Sequence, residues 1–323
     1  SISEKVFLSV EEGLVFCFDE KRNTYQQVQV IPENYPSTSF VNEPENEIWM
    51  ASEKGLLKIN PQKGIATIPM PIPPSGTLLT GGTTAIYTDN TGIKWIGTPN
   101  GISKIDQANL NSTFLPLLPG TDKDGQNVIT GVYFDSLSNC YFVCSLNPAA
   151  VFVINKSSGI IDKITKDKSG ATLMGCNLVK KDASGNIWLL TNNNVYRYSR
   201  TEKSFSKFKM TNNDTVVDYR DMVEDAEGNY WFASFHSGIY YYINATGQFV
   251  TLKDSIAILL QTSVSSLYAD DVHKEVWIGT FGNSLLRYNL ITKKLELFGE
   301  TEKTKDYTAL MLVTDIGADA KGN

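Results

Sequence analysis

The sequence predicts an all-β fold: seven four-stranded antiparallel blades in a ring, closed by strands from both ends of the chain, which is a seven-bladed β-propeller. Three observations carry this prediction. Trp49, Trp95, Trp188, Trp231 and Trp277 recur about every 46 residues with one gap twice as long, and a period of roughly 40–50 residues with strand patterning marks propeller blades. An acid precedes each marker at one fixed offset: Glu43, Asp89, Asp135, Asp182, Asp225 and Asp271, with Asp319 in place for a marker just past the end. Short runs of alternating apolar residues, punctuated by Gly, Asn and Asp, fill the rest of each period, as strands and tight turns do.

Taken in order, the first unit is KVFLSVEEGLVFCFD, where Phe7 stands as marker and Gly13 follows it as Gly55 follows Trp49. Phe7 has too few residues ahead of it to build an innermost strand. Residues 308–319 (TALMLVTDIGAD) read as that strand, so the two ends should pair and leave no open sheet edge. The second and third units centre on EIWMAS with GLLKIN and on DNTGIKW with GISKID. The fourth lies in the long gap, where Tyr141 of SNCYFVCS is taken as the marker. The fifth, sixth and seventh carry NIWLLT, DAEGNYW and EVWIGT, followed by third strands such as GIYYYIN and LLRYN and fourth strands such as FSKFKM and KLELFG. No segment sustains helical spacing, and almost no helix is expected.

The repeat makes residues 1–323 one domain, because no blade can bury its faces alone. A chain that stops where a further tryptophan strand would start is expected to be part of a longer protein. With 41% hydrophobic and 20% charged residues the composition is globular. The net charge of −6, with 24 lysines and 5 arginines dispersed, argues against nucleic-acid partners. No apolar run is long enough to span a membrane, so no membrane contact is expected of this segment. Cys17, Cys140, Cys144 and Cys176 replace apolar residues of other units and are expected to be small buried hydrophobes, with neither disulfide nor metal.

Seven aligned acids could suggest paired carboxylates for glycoside hydrolysis. A residue repeated in every unit belongs to a repeated turn instead, where Asp accepts backbone N–H bonds. The tryptophans read as wedges between blades. His273 is expected to be solvated, and no metal, nucleotide or nucleophile motif occurs, so no cofactor is expected.

A second ring of polar residues, Thr38, Thr84, Thr130, Asn177, Arg220, Ser266 and Thr314, precedes the markers at the start of the innermost strands. It serves either strand-start backbone groups or a ligand in the channel. One unit departs from the small-polar norm. Tyr219, Arg220 and Asp221 lead into its first strand, and Phe235 and His236 follow its second. Loops at these two places emerge on one face, so the five should converge, joined by Asn177 and Asn192 from one neighbour and Phe281 and Asn283 from the other. Aromatic faces with planar charged groups suit a sugar.

The pattern D-x-x-G-N-x-W-x-G-T, a Gly turn and a strand ending in Asn or Asp, seen at 89–106, 182–198, 225–242 and 271–289 and less fully at 43–60, resembles the two-component regulator propeller repeat. Around Tyr141 the match weakens, with Cys144 in place of Thr and Asn147-Pro148 lengthening the turn. The resemblance implies the periplasmic sensor region of a bacterial hybrid two-component system, a histidine kinase joined to a response regulator. Such a region carries no catalysis and recognises oligosaccharides from glycan breakdown. Partners would be the other domains of the same sensor and a second copy of the chain. Two other readings stay open: a propeller lyase or glycan-processing enzyme using His236 with Tyr219 or Asp221, and a scaffold or dimerisation propeller without its own ligand site.

Overall fold

The computed structural model describes residues 5–10, 14–19, 24–30, 37–43, 47–52, 55–60, 64–67, 82–89, 91–99, 101–106, 111–115, 128–210, 217–250, 263–281, 285–298 and 313–318. Among these there is no helix; all regular structure is strand. Sheet I holds β1 (Lys5–Val10), β2 (Leu14–Asp19) and β3 (Thr24–Val30). Sheet II holds β4 (Ser37–Glu43), β5 (Glu47–Ser52), β6 (Gly55–Asn60) and β7 (Gly64–Thr67), and sheet III β8 (Ala85–Thr88), β9 (Lys94–Thr98), β10 (Gly101–Asp106) and β11 (Asn111–Leu115). Sheet IV holds β12 (Ile129–Asp135), β13 (Cys140–Ser145), β14 (Ala150–Asn155) and β15 (Ile161–Ile164). Sheet V holds β16 (Cys176–Lys181), β17 (Ile187–Thr191), β18 (Val195–Ser199) and β19 (Ser204–Lys207). Sheet VI holds β20 (Tyr219–Glu224), β21 (Tyr230–Ser234), β22 (Gly238–Ile243) and β23 (Gln248–Val250). Sheet VII holds β24 (Ser263–Asp270), β25 (Glu275–Phe281), β26 (Leu285–Asn289) and β27 (Lys294–Phe298).

The final strand, β28 (Val313–Ala318), returns to sheet I and pairs antiparallel with β1, with Phe7 opposite Gly317. The two ends of the chain thus share one sheet, as the short first unit requires. First strands of successive sheets touch one another in sequence, β4 with β8, β8 with β12, β12 with β16, β16 with β20 and β20 with β24, while β28 touches both β24 and β4.

Packing lies between sheets rather than within them. Each buried cluster joins two consecutive sheets: Trp49 and Leu56 with Ile86 and Ile96, Phe142 and Val151 with Ile187 and Tyr196, Trp188 and Val195 with Tyr219 and Phe232, Trp231 with Leu267 and Tyr288. The tryptophans are the wedges: Trp188 meets Tyr230 of the next sheet at 5.1 Å between ring centres, and Trp231 meets Tyr288 at 5.1 Å. An aromatic side chain buries enough area for such contacts to dominate a seam.

The repeated acid completes each wedge. Asp182 accepts from the backbone N–H of Asn186 (2.7 Å) and the indole of Trp188 (2.8 Å), and from the Tyr230 hydroxyl of the next sheet (3.0 Å). Asp89 repeats this with Ile93 N–H, the Trp95 indole and Tyr141, and Asp225 with Asn229 N–H and the Trp231 indole. The turn reading of these acids holds, and the Trp is their second partner. Glu43 and Asp319 have side chains outside the described residues.

Two units run out of step with the sequence reading, for one reason. Tyr141 donates to Asp89 as Tyr230 donates to Asp182, so it matches the residue before a tryptophan. Phe142, whose ring meets Tyr198 of the next sheet at 4.8 Å as that of Trp231 meets Tyr288 at 5.1 Å, takes the marker place. In sheet VII the marker is right but the acid shifts: Asp270 accepts from Val272 and His273 N–H, while Asp271 is exposed. Pairings Tyr133↔Phe142 and Tyr268↔Trp277 enclose turns one residue longer than Lys180↔Trp188. His273 is not simply solvated; its Nδ1 lies 2.7 Å from Asp270. Without an indole in sheet IV, Asp135 instead takes the Arg200 guanidinium from sheet V through two bonds of 2.8 Å.

The second polar ring also has a repeated role. Thr130, Asn177, Arg220 and Ser265 each sit as the extra residue of a β-bulge in the innermost strand, where a side chain is re-aimed. Thr84 donates to Ile129 O, Thr130 to Cys176 O (2.6 Å), Asn177 to Tyr219 O (2.9 Å) and Ser265 to Val313 O, each reaching the next sheet. The ring therefore staples neighbouring strand starts together. In sheet VII the staple is Ser265, not Ser266, again because of the longer turn. Thr130→Val is expected to cost about 1 kcal/mol, one net hydrogen bond, read as a lower urea midpoint at unchanged slope. An unchanged midpoint would refute the staple.

Candidate functional site

The structure gathers part of the predicted cluster and disperses the rest. Arg220 is the bulge residue of β20. Unlike the other bulge residues it makes no bond to the next sheet among the described residues: its side chain is 45% exposed, reaches back to Asp218 at 2.5 Å and lies over the Phe235 ring at 5.3 Å. Phe235 in turn meets Phe281 of sheet VII at 5.2 Å and His236 at 5.1 Å, both edge-on. His236 itself is exposed. Arg220, Phe235, His236 and Phe281 thus form one surface across sheets VI and VII.

Asn177 and Asn192 border it from sheet V. The Asn177 amide donates to Asn192 Oδ1 (3.1 Å), Asp218 Oδ1 (3.0 Å) and Tyr219 O. Asn192 holds both approach loops through its backbone, its N–H bonding Gly175 O and its carbonyl accepting from Val217 and Asp218 N–H. Gly175 is required there: its φ is +62°, and a Cβ would stand 2.3 Å from the Asn192 side chain.

Two predicted residues belong to other structure. Tyr219 is fully buried among Trp188, Val195 and Phe232; the alternation that exposes Arg220 turns Tyr219 inward. Asp221 is buried and saturated, taking Lys180 Nζ of sheet V at 2.8 Å, its neighbour's Met222 N–H and Leu267 N–H of sheet VII at 2.8 Å. It bolts three sheets together and does not face the cluster. Asn283 lies outside the described residues.

Asp218 is the residue the sequence reading missed. It is buried, holds a left-handed φ of +55°, and joins Asn177 to Arg220. The signal was present, since Asp is one of the few non-glycine residues that tolerate this backbone region. Its carboxylate fixes the guanidinium through Nη2 of a side chain that is 45% exposed. The surface therefore offers a positive planar donor, two aromatic faces and an imidazole. No group of His, Cys, Asp and Glu among the described residues is arranged to hold a metal.

Cys144 and Cys176 are fully buried, and burial pushes both thiols well up from their ordinary range, the second to about 12. They are inert apolar filler, as predicted. Cys140 is only half-buried, and the Cys17 side chain lies outside the described residues.

No family model matches this chain, and no curated protein matches it. Solved structures do. The extracellular domain of a proposed one-component system from B. thetaiotaomicron superposes with a TM-score of 0.71 at 17% identity, over 90% of this chain and 37% of that one. The present chain thus spans well under two thirds of that protein's length. A proposed 6-phosphogluconolactonase from Bacteroides uniformis matches with a TM-score of 0.63 at 10% identity, over 98% of this chain and 100% of that one. The Cps50 (Swd1) β-propeller domain from Myceliophteria thermophila matches with 0.62 at 9%, over 86% and 90%. At these identities the shared property is the β-propeller fold.

Proposed function

We propose that the chain is a closed seven-bladed propeller acting as the periplasmic sensor part of a two-component signalling protein, and that it holds an oligosaccharide on the surface formed by Arg220, Phe235, His236 and Phe281. The closed ring is supported by the unbroken sequence of contacts between first strands and by the shared sheet I. The sensor role is supported by the repeat pattern in the sequence and by the like fold of a solved extracellular domain.

The observation that carries the site is the departure of Arg220 from the stapling role of its counterparts. A residue freed from structural duty, braced by buried Asp218 and laid on an aromatic ring, is preorganised for a ligand rather than for folding. The exposed guanidinium would donate to sugar hydroxyl or ring oxygens, and Phe235 and Phe281 would take C–H faces. Asn192 borders the same mouth, and Asn283 is proposed to join it. A catalytic reading needs His236 to work with Tyr219 or Asp221; the first is in the core and the second is bonded on all sides, which favours binding without turnover. Other domains of the same protein and a second copy of the chain are the proposed partners.

Thermal unfolding against a panel of plant and host oligosaccharides tests this. At 100 times its dissociation constant, the cognate glycan should add about 2.7 kcal/mol of stability. Arg220→Ala should abolish that gain while leaving the unliganded protein nearly unchanged, because the side chain is exposed and ties no two sheets. No shift with any glycan, or an equal shift in the variant, would remove the site from this surface; turnover lost in His236→Ala would favour the enzyme reading.

A further inference from the structure

A cleft of about 550 Å³ opens between the outer parts of sheets IV and V, away from the site above. That volume is in the range of small-molecule pockets. Its origin is the seam where Phe142 replaces a tryptophan. In sheets III, V and VI an indole N–H fills the second oxygen of the repeated acid; here Arg200 crosses from sheet V to do so, and the Tyr198 ring, packed on Phe142 at 4.8 Å, becomes a wall of the cleft.

The lining has two characters. Val153, Ile160 and Ile164 form an aliphatic side, with Ile160 63% exposed and open to a ligand. Among them, with Asp162 lying between Ile160 and Ile164 and opposite Val153 on the paired strand, are groups with unused bonding capacity toward the described residues. The Tyr198 hydroxyl, the Asp162 carboxylate and the Lys203 ammonium bond to no other described residue, and Arg200 uses Nε and Nη2 but not Nη1 toward the described residues. Asp162 and Cys140 are near enough to Tyr198 to act, after burial itself, in pushing its phenol up to about 12, so the hydroxyl is a firm donor. Arg200 is already neutralised by Asp135. The charges left for a ligand are one anion, Asp162, and one cation, Lys203.

One anion, one cation and an aliphatic wall match a zwitterion with a hydrocarbon side chain. We propose that this cleft binds a free amino acid with an aliphatic side chain, its ammonium on Asp162, its carboxylate on Lys203 and Arg200 Nη1, and its side chain against Val153, Ile160 and Ile164. Recognition is by complementarity alone and involves no covalent step.

Isothermal titration of the chain with L-isoleucine tests the proposal, with Cys140 as an internal reporter because its half-buried thiol lines the cleft. Saturable one-to-one binding is expected. Asp162→Asn should weaken it by about tenfold or more, the loss of one charge-assisted hydrogen bond, and Asp162 is exposed, so the variant should fold. Bound L-isoleucine should slow alkylation of Cys140 by N-ethylmaleimide, followed by peptide mass spectrometry. Arg220→Ala should leave all of this intact, which separates the cleft from the glycan surface. Absence of saturable binding, binding undiminished by Asp162→Asn, or binding lost in Arg220→Ala would each overturn the assignment.

Discussion

Asp182→Ala is expected to lower the unfolding free energy by about 3–4 kcal/mol, the scale for stranding buried hydrogen-bond donors that had a charged acceptor. The carboxylate is 3% exposed and serves the Trp188 indole, the Tyr230 hydroxyl and the Asn186 backbone N–H and amide at once. Alanine would leave all of these without an acceptor at a seam between two sheets. Asp271→Ala, at the position the sequence aligns with it, is the control: Asp271 is exposed, and its loss should stay within about 0.5 kcal/mol. Urea unfolding of both variants decides; equal losses would mean that the acid–indole unit contributes nothing beyond turn formation.

The same carboxylate gives the stability a pH dependence of known sign. Burial alone would raise its pKa, yet the bonds from Trp188, Asn186 and Tyr230 outweigh burial and hold it below the ordinary 3.8. Asp89 and Asp135 are lowered in the same way, against burial, by Thr91 and Trp95 and by Arg200 and Ser138. A carboxylate depressed in the folded state contributes its full stability above 3.8. That contribution drains away as pH falls below 3.8 and through the folded value, where protons bind the unfolded chain first. The melting temperature should therefore be flat in these groups above about pH 5 and fall steeply below pH 4, and Asp182→Asn should reduce the steepness. A variant with an undiminished acid slope would show that Asp182 is not one of the linked groups.

Gly279→Val is expected to cost about 3 kcal/mol, the upper part of the usual range for overpacking. A Cβ at Gly279 would stand 2.4 Å from Ser266 Oγ and 2.7 Å from Val313 Cγ1, and Val313 begins the strand that joins the end of the chain to its start. A Cβ at Gly97, in the same register, would stand 2.7 Å from Ile129 Cγ2 of the next sheet, and Ala51 and Ala233 hold that register in sheets II and VI, both fully buried. In sheets II, III, VI and VII this register takes a small residue where the innermost strands of neighbouring sheets press together, whereas sheet V holds Leu190 there. In Gly279→Val the added volume must push β24 from β28, and limited proteolysis should then release the C-terminal strand first. A stable variant with unchanged proteolysis would mean the seam yields elsewhere.

Trp188, Trp231 and their acids announced the blade repeat because each is the same solution to the same local problem, an indole that needs an acceptor in a turn that needs an Asp. Phe7 could be matched to its partner strand at the other end of the chain for a related reason: a unit without a first strand must borrow one. Where a turn lengthened by one residue, the same rule misled, placing Tyr141 in the seat of Phe142 and Asp271 in that of Asp270. A single sequence fixes spacing, but a hairpin absorbs an extra residue without moving its paired strands.

The site divides along a similar line. Arg220, Phe235, His236 and Phe281 were legible because their types break a repeated pattern. The burial of Tyr219, the threefold bonding of Asp221, the bracing by Asp218 and the cleft beside Tyr198 were not. The sequence by itself determined the repeat, the strands, the paired ends and the unusual unit, all of which depend on order and spacing along the chain. Only the tertiary structure decided which polar residues staple sheets and which face solvent, because a bulge breaks the strand's alternation and re-aims its extra residue, and the partners lie about one blade away in sequence.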